Sequence, residues 1–123
     1  MKVVVDRRTW WRGHGASDSY LFSRDSKAGE VRMCCVGFLC RVLGYSDASM
    51  HAVDGISAIE EPPPTPLPNA WLQPQLGTTR LIETPAFGSL YTLNDNPNID
   101  EAEREAELIR QGAELGIDFE FVN

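Results

Sequence analysis

The sequence predicts an α+β fold, with a small mixed or antiparallel sheet packed against a buried Cys-rich helix and an acidic C-terminal helix. Three observations carry this. The run Met33-Cys34-Cys35-Val36-Gly37-Phe38-Leu39-Cys40-Arg41-Val42-Leu43-Gly44 gathers all three cysteines in one apolar segment of helical length. A second helical pattern, rich in glutamate, leads into Ile117-Asp118-Phe119-Glu120-Phe121, whose strict alternation puts Ile117, Phe119 and Phe121 on one face of a strand. At the other end Val3, Val4 and Val5 form a β-branched run that can neighbour this last strand.

From the N-terminus, strand 3–5 ends at Asp6, which is placed to cap a short helical turn over 7–12 before the Gly13-His14-Gly15 break. Residues 20–22 read as a second strand, followed by a polar turn over 23–29. The central helix is expected over 31–43. It carries apolar residues on nearly every side, and Gly44 is placed to end it. Residues 60–68 contain five prolines between 62 and 68, a composition that excludes helix interior and central strand and favours an extended crossing, ordered where Trp71 and Leu72 dock. Strands are expected at 80–83 and 89–93. Asn98 followed by Glu101 is a capping-box pattern that starts the last helix, with Ile99, Ala102, Ala106, Ile109 and Ala113 as its inward stripe and Gly116 as its end.

A chain of 123 residues fits one domain, 1–123, with a core that needs no disulfide or metal staple. No apolar run reaches the roughly 18 to 20 residues that span a bilayer, so no membrane association is expected. The N-terminal residues lack a signal-peptide pattern, which leads to the expectation of a cytoplasmic protein with reduced thiols. The net charge of −7 is unevenly placed: residues 1–41 hold eight basic and four acidic residues, whereas 95–123 hold nine acidic and two basic ones. If the fold separates these segments, the molecule is electrically polarised and its acidic surface suits a basic partner. Bulk nucleic-acid binding is disfavoured, because phosphate neutralisation requires concentrated lysine and arginine.

Cys34 and Cys35 near a helix start, beside Arg32, are the candidates for a nucleophile, since the helix dipole lowers a thiol pKa there. His14 or His51, with Asn94 or Asp95, would have to act as base and orienting group. Against this, cysteine surrounded by Met, Val, Phe and Leu is characteristically a core residue. A zinc site from Cys34, Cys35, Cys40, His14 and His51 lacks Cys-x-x-Cys spacing, and adjacent helical cysteines point about 100° apart, so neither metal nor cofactor is expected. The candidate binding residues are Trp10 and Trp11 with Arg7 and Arg12, Asp95 beside Arg104, and Glu103 and Glu107 on the acidic helix. Tryptophan with arginine is the chemistry of interaction hot spots and of stacking, for a partner protein, a second copy of the chain or a sequestered nucleotide. The competing reading anchors one indole in the core and pairs the arginines with the acidic helix.

In order along the chain, Asp6-Arg7, Trp11-Arg12-Gly13, Ser19 and Leu21, the 33–38 block, Asn94-Asp95, Arg104-Glu105 and Phe121-Val122 together resemble an uncharacterised group of small phage and prophage proteins. Val36 stands where that group has leucine, and residues 28–32 replace a tighter Asp-Gly-Lys lead into the helix. The resemblance implies a phage setting. Small phage accessory proteins act by binding host machinery, including defence systems such as CRISPR, so a host protein or complex is the partner it suggests, and a host-defence inhibitor the role. A cysteine-dependent enzyme and a nucleotide- or small-molecule-sequestering protein are the alternatives.

Overall fold

The structure, a computed structural model, describes residues 1–13, 20–24, 29–61, 64–65, 67–68, 71 and 85–123. Its elements are β1 (Lys2–Asp6), β2 (Ser23–Arg24), β3 (Val31–Arg32), α1 (Cys35–Val42), α2 (Asp47–Met50), a 3-10 turn (Ile56–Ala58), α3 (Pro85–Asp95), α4 (Glu101–Glu114) and β4 (Asp118–Val122). The fold is α+β. The expected strand at 80–83 lies outside the described residues, as do Leu72 and Pro62, Pro63 and Pro66 of the proline segment.

The first and last strands pair, in parallel, with Val3 opposite Phe119 and Val5 opposite Phe121. Alternation decides which way this ribbon faces: Val3, Val5 and Phe119 are buried, while Val4 and Glu120 point outward. β2 and β3 form a separate antiparallel pair, so the strands are mixed in sense and lie in two small sheets. The inner face of β1–β4 packs on α1 and α4.

The stretch expected to be a helical turn at 7–12 is a turn and a bridge instead. Arg7 N–H donates to the Val122 carbonyl, continuing the ladder, and Asp6 Oδ1 accepts from Arg8 N–H at 3.0 Å. Trp10 then lies in a parallel bridge with Met33. That bridge also explains why the cysteine helix starts four residues later than predicted. The Met33 backbone is committed to Thr9 and Trp11, and Cys34 N–H to the Tyr20 carbonyl, so none of these groups can enter a helical ladder. The strand expected at 20–22 lies later: Leu21 is in a bend with its N–H on the Val53 carbonyl, Phe22 makes an isolated bridge to His51, and β2 forms at Ser23–Arg24, where the polar turn was expected to begin.

The predicted strand at 89–93 is helical. Phe87, Leu90 and Asn94 are fully buried at steps of three and four, and that period outweighs the two-residue alternation around Leu90 and Thr92. α4 is capped by Asp100, whose Oδ1 accepts from Glu103 N–H at 2.8 Å, two residues after the expected Asn98 cap. Asn98 N–H instead donates to Asn96 Oδ1 in the preceding turn.

Both predicted helix stops form. Gly44 has φ +96 and Gly116 φ +77. Tyr45 N–H reaches the Cys40 carbonyl and Ile117 N–H the Gly112 carbonyl, the hydrogen-bond pattern in which a glycine just past the helix closes its last turn. Trp71 docks as expected, 1% exposed, with its indole N–H on the Leu115 carbonyl and its ring edge-on to Phe87.

Two glycines let backbones approach. A Cβ on Gly37 would lie 1.9 Å from the Leu21 carbonyl oxygen, and one on Gly112 2.6 Å from the Phe119 ring. Gly88, on the exposed side of α3, has no atom within 4 Å of such a Cβ. Gly37→Ala is therefore expected to cost about 3 kcal/mol or more in urea unfolding, because a backbone carbonyl cannot yield. Gly88→Ala should gain about 0.5–1 kcal/mol from helix propensity. A neutral Gly37→Ala would show that α1 does not lie against residue 21 as described.

Candidate functional site

Asn94, at the end of α3, is 0% exposed and joins four segments. Its Oδ1 accepts from the Trp10 indole N–H at 2.7 Å and from Cys35 N–H at 3.0 Å, and its Nδ2 donates to the Trp11 carbonyl and to Asp95 Oδ1, both at 3.0 Å. Its own carbonyl accepts from Gly13 N–H and from Arg104. The residue at the N-cap of α1, Cys34, offers no side-chain cap, so the amide oxygen from α3 supplies the acceptor that the helix start requires.

The arginine candidates are committed within the molecule. Arg7 grips Glu105 through two bonds of 2.9 and 2.6 Å, and Arg12 pairs with Glu101 while donating to the Arg7 and Trp10 carbonyls. The Arg12 guanidinium also lies 4.4 Å from the centroid of the Trp10 ring, whose other neighbour is Phe121. Trp10 is core. Trp11 is half-buried and covered by the guanidinium of Arg32, again at 4.4 Å. The expected charge polarisation is reduced: Arg7 and Arg12 of the basic N-terminal segment pair with Glu105 and Glu101 of the acidic helix, and Lys2 pairs with Glu120 of the last strand.

Arg104 is 1% exposed. Its guanidinium donates to the Leu93, Asn94 and Ile99 carbonyls, closing the C-terminal end of α3, and its Nε lies 3.4 Å from Glu101 Oε1. It neither faces solvent nor shares a ligand site with Asp95, whose carboxylate accepts from the neighbouring Asn94 amide. Glu107 is held by Arg110 through a bond of 2.6 Å, which draws its carboxyl below the usual glutamate range, whereas Glu103 is exposed.

The buried face of α4 is Arg104, Leu108 and Gly112. The stripe predicted to face inward does the opposite: Ala102, Ala106, Ile109 and Ala113 are all exposed, Ile109 at 44%. Apolar periodicity could not find the true face, since it consists of an arginine, a leucine and a glycine. Its signal was the four-residue spacing of Leu108 and Gly112, and the aromatic at 119 that needs Gly112 to be small.

Cys34, Cys35 and Cys40 are free and fully buried. Burial pushes the Cys34 thiol up to about 12 and raises those of Cys35 and Cys40 as well, opposing any effect of the helix dipole. Cys35 Sγ lies 3.9 Å from the Leu90 carbonyl. His51 is on the surface beside Phe22, and among the described residues no hydrogen bond joins it to a thiol; His14 lies outside them. Among the described residues, no group of three or more His, Cys, Asp or Glu is placed to hold a metal ion, and no helix is long and apolar enough to cross a membrane.

In comparisons with known proteins, no family model, curated protein or solved structure matches this chain.

The thiols yield a test with a definite sign. The folded state keeps its thiol protons to higher pH than the unfolded chain, whose thiols titrate near 9. Their contribution to stability is complete below that pH and is lost as pH rises from 9 toward 12. A thiol reagent at pH 8 is expected to label none of the three cysteines until the protein is unfolded, and the urea midpoint to hold steady to about pH 8 and fall above pH 9. Rapid native labelling of Cys34 or Cys35 would restore the nucleophile reading.

Proposed function

We propose that this protein is a non-catalytic binding protein of the small phage accessory kind, which docks a host protein on the outward face of α4. The observation that carries the reading is the exposed stripe of Ala102, Ala106, Ile109 and Ala113 on a helix that contains five glutamates and two arginines. Small side chains let a partner's backbone approach closely, Ile109 offers an apolar anchor, and Glu103, the glutamate of this helix without an ion pair among the described residues, favours a partner with a basic rim. The burial of Trp10 and the internal pairing of Arg7 and Arg12 favour this surface over the Trp–Arg edge. The phage resemblance supplies the setting, the interior of a host cell, and makes a defence complex such as a CRISPR effector the partner class of first interest, with inhibition as the outcome.

Capture from host-cell lysate tests it. The protein should retain a discrete host protein at low salt and release it at high salt. Ala106→Arg with Ile109→Asp, both at exposed positions and therefore expected to change stability by no more than about 0.5 kcal/mol, should weaken retention at least about tenfold. Glu103→Lys with Glu107→Lys should weaken it in the same direction. Equal retention by both double variants, or no retention by the unaltered protein, would remove α4 from the account.

A further inference from the structure

We propose that the cleft between β2 and α2 is a binding site for a nucleoside monophosphate. It is an open depression of about 330 Å³ lined by Phe22, Arg24, Asp47, Ala48 and His51, at the small end of ligand pockets. It is separate from the α4 surface and from the arginines that pair there.

The cleft combines three chemistries. Its floor is Phe22, 3% exposed and therefore fixed, with the Arg24 and Arg41 guanidinium carbons 5.7 and 5.6 Å from the ring centroid and the His51 ring at 6.2 Å. Arg41 is neutralised by two 3.0 Å bonds to Asp47. Among the described residues Arg24 has no acidic partner, so Arg24 and Arg41 against Asp47 leave the described side chains here with a net positive charge. A phosphomonoester can accept hydrogen bonds from Arg24 and from a His51 ring N–H. Ala48, exposed in the lining, gives a planar base its apolar contact. Asp47 spends two of its acceptor positions on Arg41, and those that remain suit ribose hydroxyls.

The backbone shows that the cleft wall is built in advance. His51 has φ −62 and ψ 125, Ala52 has φ +58, and Val53 N–H returns to the Met50 carbonyl at 3.2 Å. This is a type II turn with alanine at the position that ordinarily requires glycine. A non-glycine residue keeps that conformation only where its surroundings enforce it, and here they do: Ala52 N–H donates to the Phe22 carbonyl at 3.0 Å and Leu21 N–H to the Val53 carbonyl at 2.8 Å. The turn holds the backbone of His51 beside the aromatic floor before any ligand arrives.

Isothermal titration calorimetry with AMP and UMP, and with inorganic phosphate and adenosine as controls, tests the proposal. The monophosphates should bind with Kd below about 1 mM, and each control at least about tenfold more weakly. Arg24→Gln and His51→Ala, both at exposed side chains, should each weaken monophosphate binding about tenfold or more while leaving the urea midpoint unchanged. Absence of monophosphate binding would overturn the proposal. So would phosphate binding as tightly as AMP, which would reduce the cleft to an anion contact, or affinity that both substitutions leave intact, which would place the ligand elsewhere.

Discussion

The structure depends on one buried amide. Asn94 Oδ1 receives the Trp10 indole and the first N–H of α1, and its Nδ2 and carbonyl reach the 11–13 segment and Arg104. A buried polar group costs little when every donor and acceptor is matched and about 1–3 kcal/mol for each one left unmatched. Loss of this side chain would strand the Trp10 indole, the Cys35 amide and the Trp11 carbonyl together. It is also the reason that two β-edge residues, a cysteine helix and a C-terminal helix remote in sequence occupy a single core. Asn94 fixes where α3 ends relative to where α1 begins, and Arg104 fixes where α4 leaves that junction.

The same junction governs what the surface can offer. With Trp10 held by Asn94, the arginines on either side of it reach α4, where Glu101 and Glu105 receive them. Ion pairs that keep contact with water, as these half-buried ones do, contribute only about 0–1 kcal/mol each to stability. Their larger consequence is rotational. Arg104 inward and Arg7 on Glu105 set the rotation of α4 about its axis, so that Leu108 and Gly112 meet the core while Ala106 and Ile109 face water. An acidic helix that looked like a free charged surface has four of its five glutamates in ion pairs, and what it presents is an apolar stripe bordered by Glu103 and by the pairs of Arg110 with Glu107 and Glu114. The cleft at His51 lies outside this arrangement and has its own rigid support in a strained turn.

Local chemistry was legible in the sequence, and of the long-range pairings only that of the first strand with the last was. Gly44 and Gly116 could be read as helix stops because a glycine after an apolar run has one common use, and the terminal strand because Ile117, Phe119 and Phe121 alternate. The burial of the cysteines followed from their neighbours. The 7–12 segment was misread because Asp6 can cap a helix or an isolated turn, and only the Met33 bridge, 23 residues away from Trp10, decides between them. Residues 89–93 carry little periodicity of their own, and helix appears only when Phe87 and Asn94 are counted as one face with Leu90. Asn94 stood out in the sequence only as an orienting group for a reactive thiol, since nothing local marks an asparagine as a buried junction. The arginine–carboxylate pairs needed knowledge of which distant segments meet.

Hydrogen exchange at the two donors to Asn94 Oδ1 tests the central claim most directly. The Trp10 indole N–H and the Cys35 amide are predicted to exchange only through global unfolding, with one shared free energy equal to that from chemical denaturation. Exchange of either proton through a local opening, substantially faster than the other or than unfolding allows, would contradict the claim that this amide holds the molecule together.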